Sequence, residues 1–200
     1  MSSQITQIKF QDERTLAHER MDTAKMPGHW LLARLGKRVL RPGGKALTRK
    51  MLSALKPGHF DEVVEFAPGL GVTARITLAA CPASYTAIER DAEAAAQVRG
   101  WLNRFPTRCP RNVITGVAQE TGLPEASATV VYGEAVLSMQ TETRKREIIH
   151  EAIRLLRPGG RYGIHELCLT PDDLPADEAA RIRHSVTDAI RHRASPLTAK

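Results

Sequence analysis

From residue 61 onward the chain alternates short apolar runs with longer stretches in which apolar residues recur every three or four positions. That alternation predicts strands and crossover helices of a parallel sheet. Strands are expected over 62–66, 85–88, 112–115, 129–132 and 162–167, with helices over 72–80, 92–105, 141–156 and 177–190. Before residue 61 the texture differs. Trp30, Leu31, Leu32, Leu35, Val39 and Leu40 recur at helical spacing over 29–40, and Pro42-Gly43-Gly44 ends that helix. Ala46, Leu47, Met51, Leu52 and Leu55 carry a second amphipathic piece up to Pro57-Gly58, while residues 1–27 are polar and offer little to a core. Leu-Arg-Pro-Gly-Gly occurs at 40–44 and again at 156–160; without wider self-similarity it reads as a reused helix terminator, not a repeat.

Length and composition narrow the class. Two hundred residues, 42% hydrophobic and 26% charged, suit one globular domain with its own core. No apolar run approaches the roughly 18 residues of a membrane span, and the start MSSQITQIKFQDER lacks a signal-peptide layout, so a soluble, cytoplasmic protein is expected. Cys81, Cys109 and Cys168 are odd in number and far apart, which fits neither a disulfide framework nor a metal site. The net charge of +7 is uneven: residues 1–60 carry 12 Lys and Arg against 4 Asp and Glu, residues 61–180 carry 12 against 17, and residues 181–200 carry 5 against 1. An acidic middle between basic ends is not by itself a nucleic-acid signature.

The stretch from Glu65 to Ala74 (E-F-A-P-G-L-G-V-T-A) turns the first strand into a helix. Glycines at such a bend let a ligand approach the backbone, and the helix N-terminus offers free N–H groups. A nucleotide-like ligand across the carboxyl ends of the strands is therefore expected. Two patterns fit. Gly69 to Ala74 reads G-x-G-x-x-A with Glu89 twenty residues after Gly69, a dinucleotide fingerprint. Glu65 to Gly71 reads E-x-A-x-G-x-G, and a carboxylate there suits a cationic ligand and would repel a pyrophosphate.

That second pattern resembles the first motif of class I S-adenosylmethionine-dependent methyltransferases, with Ala67 where the family usually has glycine. The resemblance covers about residues 60–170. Tyr85-Thr86-Ala87-Ile88-Glu89-Arg90 looks like the second motif, whose acid accepts hydrogen bonds from the ribose hydroxyls. Gly116-Val117-Ala118-Gln119-Glu120-Thr121-Gly122-Leu123-Pro124 resembles the adenine-holding segment, with Val117 where Asp or Ser is common and Gln119 the nearest substitute. Val130 to Ala135 matches strand four, and Leu155 to Tyr162 is similar to the family's lead into strand five. The fold implied is α/β, a Rossmann-like mostly parallel sheet with helices on both faces. Residues 1–58 form an N-terminal helical lid, 59–170 the cofactor core, and 171–200 a C-terminal helix and tail. The family's terminal β-hairpin is not found in 171–200, so the sheet is expected to be missing it or to have it shortened, with a homodimer partner as one way to cover the edge.

The resemblance implies an enzyme that transfers a methyl group from S-adenosyl-L-methionine, leaving S-adenosyl-L-homocysteine, similar to the ubiquinone and menaquinone biosynthesis methyltransferases. Glu65, Ala67, Gly69, Gly71, Glu89, Arg90, Ala118, Gln119 and Gly133 are the expected cofactor-binding residues. The acceptor is expected to be a small molecule, anionic or hydrophobic. Aromatic residues are only 4% and strand four ends Tyr132-Gly133-Glu134-Ala135, without the base-holding loop of DNA methylases, so nucleic acid is not the expected substrate. In-line displacement mainly needs positioning, with a base only for a protonated acceptor. Glu134 and His165 are the catalytic candidates; because neighbouring strand residues face opposite ways, only one of His165 and Glu166 should face the pocket. The bland alternatives are a tight turn at the glycines, ordinary strand-end carboxylates at Glu65 and Glu89, a sheet-rim bend at Gly133, and structural histidines at His165 and His150. The basic face over 37–50 reads as a solvated helix face, a lid or an anion-facing surface. Competing functions are a non-catalytic or partner-dependent cofactor-binding protein and an NAD(P)-dependent oxidoreductase.

Overall fold

The computed structural model describes residues 41–190 and the backbone of 197–198. The helix expected over 29–40, and with it most of the expected lid, lies outside the described residues. Helix α1 (Gly44–Leu55) comes first. Then follow β1 (Glu62–Phe66), α2 (Val72–Ala79), β2 (Ser84–Glu89), α3 (Ala92–Arg104), β3 (Arg111–Thr115), β4 (Ala128–Glu134), α4 (Glu142–Leu155), β5 (Leu156–His165), β6 (Cys168–Leu169), α5 (Ala176–Ile190) and β7 (Leu197–Thr198).

Strands β1 to β5 form one sheet in the order β3-β2-β1-β4-β5, with every neighbouring pair parallel. The chain builds outward from β1 to β3, then returns to lay β4 on the other side of β1. The carboxyl ends of β1 and β4 therefore flank a topological switch point, where ligands of open α/β sheets bind. Central strands are apolar on both faces because helices cover both. Val63, Tyr85, Ala87, Val113, Val130 and Tyr132 pack under Leu52 and Leu55 of α1, Ala74 and Leu78 of α2, and Ala95, Val98 and Leu102 of α3. Val64, Phe66, Ile88 and Val131 meet Ile148, Ala152 and Leu155 of α4 on the other side. Caps set the starts of two helices: the Asp91 carboxylate accepts from the Ala94 N–H, and the Thr141 hydroxyl from the Arg144 N–H.

Two elements differ from expectation. Strand β5 starts at Leu156, not 162, because Ala128 pairs with Leu156 and Val130 with Arg161, so Arg157 to Gly160 bulge out of a strand already under way. The second Leu-Arg-Pro-Gly-Gly thus lies within β5 and does not simply end a helix. The segment after residue 167 contributes a two-residue parallel pairing of β6 with β7, separate from the main sheet. No described helix is long and apolar enough to cross a membrane.

A carboxylate ties the β3–β4 connection to α4. Glu151 accepts from the Thr121 N–H (2.9 Å) and hydroxyl (2.5 Å) and from Arg154 Nε and Nη2, both at 2.7 Å. The Arg154 guanidinium, aided by Thr121, holds the Glu151 carboxyl down to about 2, against 4.5 ordinarily. A carboxyl held low stabilises the fold above its ordinary value, and that contribution fades as pH falls toward about 2. Because Arg154 is 38% exposed, Glu151→Gln is expected to lower neutral-pH stability by only about 1–2 kcal/mol. It should also flatten the acid side of the stability profile; urea denaturation at neutral and acidic pH measures both effects.

Candidate functional site

Beyond Phe66 the backbone must leave the sheet and enter α2 within five residues, and it does so through left-handed conformations at Ala67 (φ +52°), Gly69 (φ +54°) and Gly71 (φ +68°). Ala67 carries a Cβ in a region that disfavours one, which is the physical reason glycine is usual at this place. Its N–H donates to the Ile88 carbonyl at 2.8 Å. The two glycines differ in their surroundings. A Cβ on Gly69 would meet nothing within 4 Å, whereas one on Gly71 would land 2.2 Å from Trp101 Cζ2. Gly69 borders open space at the sheet edge; Gly71 is packed from behind. The first intrahelical bond of α2 runs from the Arg75 N–H to the Gly71 carbonyl, so the preceding amides of that turn have no intrahelical acceptor.

Glu89 ends β2 beside this loop and is 8% exposed. Burial raises its carboxyl above the usual range, and backbone N–H groups of Asp91, Gly69 and Arg90 oppose the rise. Among the described residues no side chain hydrogen-bonds it, so the carboxylate keeps acceptor sites beside the open flank of Gly69. The Gly116 N–H donates to the Glu89 carbonyl at 2.9 Å, which brings the β3 exit alongside. Ala118 and Gln119 lie half-buried within a turn closed by a Val117–Glu120 bridge, and Arg90 is exposed at the start of the β2–α3 turn. Gly133, in β4, is buried; a Cβ there would come 2.8 Å from Val136 Cγ1.

Glu65 does not project into that open edge. Its side chain turns into the α2-covered face, where Oε2 accepts from the hydroxyls of Tyr85 (2.5 Å) and Tyr132 (2.8 Å). Tyr132 also exchanges a hydrogen bond with Thr77 at 2.8 Å. Burial pushes the Glu65 carboxyl up to about 7, with the tyrosine hydroxyls pulling the other way.

Glu134 and His165 are brought together, as partners in the β4–β5 register. Glu134 Oε1 lies 2.7 Å from His165 Nδ1, 2.7 Å from the Thr48 hydroxyl and 2.9 Å from Arg41 Nε, while Oε2 accepts from the Thr73 hydroxyl. Glu166 faces away from this cluster, in keeping with strand alternation. Its carboxylate accepts from the N–H groups of Val136 (2.6 Å), Leu137 (2.7 Å) and Ser138 (3.1 Å) and from the Ser138 hydroxyl (2.7 Å). It thereby fixes the β4–α4 loop. His150 is exposed on α4. Sequence reasoning missed Arg41, Thr48 and Thr73 around Glu134, the two tyrosines around Glu65, and Trp101 behind Gly71. Only the tyrosines left a signal, as polar-tipped residues on strands that are otherwise apolar.

The comparisons with known proteins agree with this geometry. A model described as a methyltransferase domain matches residues 64–164, half of the chain. An uncharacterized protein of Haemophilus influenzae is 31% identical over 174 residues, 86% of this chain and 66% of that one. Among solved structures, a candidate methyltransferase of Bacillus halodurans superposes with a TM-score of 0.64 at 14% identity, covering 76% of this chain and 63% of that one. A cyclopropane synthase of Mycobacterium tuberculosis gives 0.62 at 18% identity, covering 77% and 55%. The chain thus spans about two thirds of the length of these relatives or less. The matched span starts inside β1 and ends one residue before His165, so it takes in the glycine loop, Glu89 and the end of β4; the chain belongs to the class I S-adenosylmethionine-dependent methyltransferase family.

Proposed function

We propose that this chain binds S-adenosyl-L-methionine across the carboxyl ends of β1, β2 and β4 and methylates a small-molecule acceptor. The observation that carries the reading is Glu89: a buried carboxylate beside Gly69 that, among the described residues, is served only by backbone amides. That donor-poor arrangement fits a ligand with vicinal hydroxyls, which donate to a carboxylate. When bound, the cofactor supplies a methyl group activated by a sulfonium. The chain's residues then have to hold and orient. Glu89 takes the ribose hydroxyls, the loop from Ala67 to Gly71 lets the ligand close on the backbone, and Ala118 and Gln119 edge the adenine side. Gly133 and Ala135, at the switch point, border the methyl group. Glu134 sits nearest the acceptor position, but Arg41, Thr48, Thr73 and His165 crowd its carboxylate, which suits orientation better than proton abstraction.

Calorimetry with S-adenosylhomocysteine tests this. Glu89→Ala is expected to weaken binding by about 1–3 kcal/mol, the scale of a lost hydrogen bond to a charged group. The pH dependence has a definite sign. Ribose hydroxyls need the ionised carboxylate, so affinity rises as pH climbs through the raised range of Glu89. Equal affinity in Glu89→Ala removes that residue from the site, and tight NAD(P) binding in place of S-adenosylhomocysteine removes the reading itself. Cofactor binding without turnover across an acceptor panel, restored by a companion protein, would favour a partner-dependent role.

A further inference from the structure

We propose that His165 is a positioning residue: an imidazolium that clips the 41–42 turn to the end of β4 and so sets Arg41 against the first turn of α2. The argument is a count of hydrogens. His165 Nε2 lies 2.7 Å from the Pro42 carbonyl oxygen and Nδ1 lies 2.7 Å from Glu134 Oε1. A carbonyl only accepts, so Nε2 carries a hydrogen. At 2.7 Å a second hydrogen must lie between Nδ1 and Oε1, since two lone pairs cannot face each other at that distance. A neutral ring beside an ionised carboxylate holds one hydrogen too few.

The surroundings decide which partner carries the extra one. Arg41 Nε stands 2.9 Å from Glu134 Oε1 as an ion-pair partner, and the Thr48 and Thr73 hydroxyls donate to Oε1 and Oε2, an environment that favours the ionised carboxylate. The hydrogen therefore resides on the ring. The titratable groups facing the pair from other elements are Arg41 before α1, Glu65 on β1 and Tyr132 on β4, with Tyr85 on β2 behind Glu65.

Two consequences follow from the geometry. A ring that donates from both nitrogens has no lone pair for a substrate proton, so His165 acts through its neighbours. Arg41 Nη2 donates to the Thr73 hydroxyl at 2.7 Å, two residues beyond Gly71, so loss of the ring's two contacts frees a turn that touches the start of α2. Only this last link rests on the cofactor reading given above.

The test uses the full chain with 15N-labelled histidine, the His165 signals being assigned by their loss in His165→Ala. The expected spectrum at neutral pH shows both ring nitrogens of His165 protonated. Glu134→Gln, whose amide can donate to Nδ1, is expected to convert the ring to the Nε2–H tautomer. A second measurement covers variants whose spectra are too poor to assign. In His165→Gln, amide hydrogen exchange over 44–47 is expected to rise roughly tenfold while α3 and α4 keep their protection. A singly protonated ring in the unmodified chain, or unchanged exchange over 44–47, overturns the proposal. S-adenosylhomocysteine affinity in His165→Gln is expected to fall about threefold to tenfold. If the unmodified chain binds none, the cofactor reading fails while the spectrum and the exchange still decide the clip.

Discussion

Gly71→Ala is expected to abolish cofactor binding and to lower stability by about 2–5 kcal/mol, the sum of two separable effects. At φ +68° any L residue is strained by roughly 1–2 kcal/mol. The new Cβ would also stand 2.2 Å from Trp101 Cζ2 and 2.5 Å from Cε2. Retreat is blocked. The indole packs edge-on to Phe105, with ring centroids 6.2 Å apart, and carries the Arg75 guanidinium 4.7 Å above its other side. Its buried Nε1 has no hydrogen-bond partner among the described residues, so packing holds it. Forcing an atom into such a contact costs about 1–3 kcal/mol. Gly69→Ala is the control: its φ is also positive, but the Cβ enters open space, so only the strain of roughly 1–2 kcal/mol is expected, with the ligand's approach obstructed. Trp101→Ala in the Gly71→Ala background should recover the steric part and leave the strain, which a double-mutant cycle by urea denaturation reads directly. Equal losses for the two glycine variants would mean that Trp101 does not fix the loop.

The sheet was legible in the sequence because its strands carry their own pattern. Val63, Val64 and Phe66, broken only by Glu65, and Val130 to Tyr132 make the near-continuous apolar runs of strands covered on both faces, and the intervening helices show helical spacing with caps at Asp91 and Thr141. The ends were less legible. Strand β5 begins six residues before its expected start because pairing with Ala128 captures Leu156, a long-range contact that local chemistry at Pro158 and Gly159 argues against. The pairing of β6 with β7 spans two residues each, too short for any periodicity.

The glycine loop of the candidate site was legible for a different reason: glycine spacing and a strand-end acid mark backbone geometry that few side chains tolerate. What the spacing could not give is direction. Glu65 and Glu134 stand at similar places on adjacent strands, yet one is folded in among tyrosines and the other is held by an arginine, two threonines and a histidine. Those partners come from positions 20 to 93 residues away in the chain, so no local rule reaches them. The same holds for Trp101, thirty residues after the glycine it restrains.

Glu65→Gln is expected to leave stability nearly unchanged in mild acid and to raise it at alkaline pH, while Glu65→Ala lowers it throughout. The sign follows from burial, which lifts the folded-state carboxyl from 4.5 to about 7. Between those values the folded chain holds a proton that the unfolded chain has shed. Stability is therefore full below the lower value and falls as pH rises through the upper one. At about 1.4 kcal/mol per pH unit, ionisation in the folded state costs up to about 3 kcal/mol. Glutamine keeps an oxygen for Tyr85 and Tyr132 without that cost. Alanine leaves the Tyr85 hydroxyl with no acceptor and opens a cavity, a loss of about 2–5 kcal/mol. The network also bears on ligand binding, because a cationic group above Ala67 favours the ionised carboxylate. S-adenosylmethionine binding near neutral pH is expected to release a proton from Glu65, seen as a buffer-dependent heat in calorimetry that is smaller in Glu65→Gln. Identical buffer dependence in both proteins, or a stability profile in Glu65→Gln that still falls between mild acid and neutrality, would place the titrating group elsewhere.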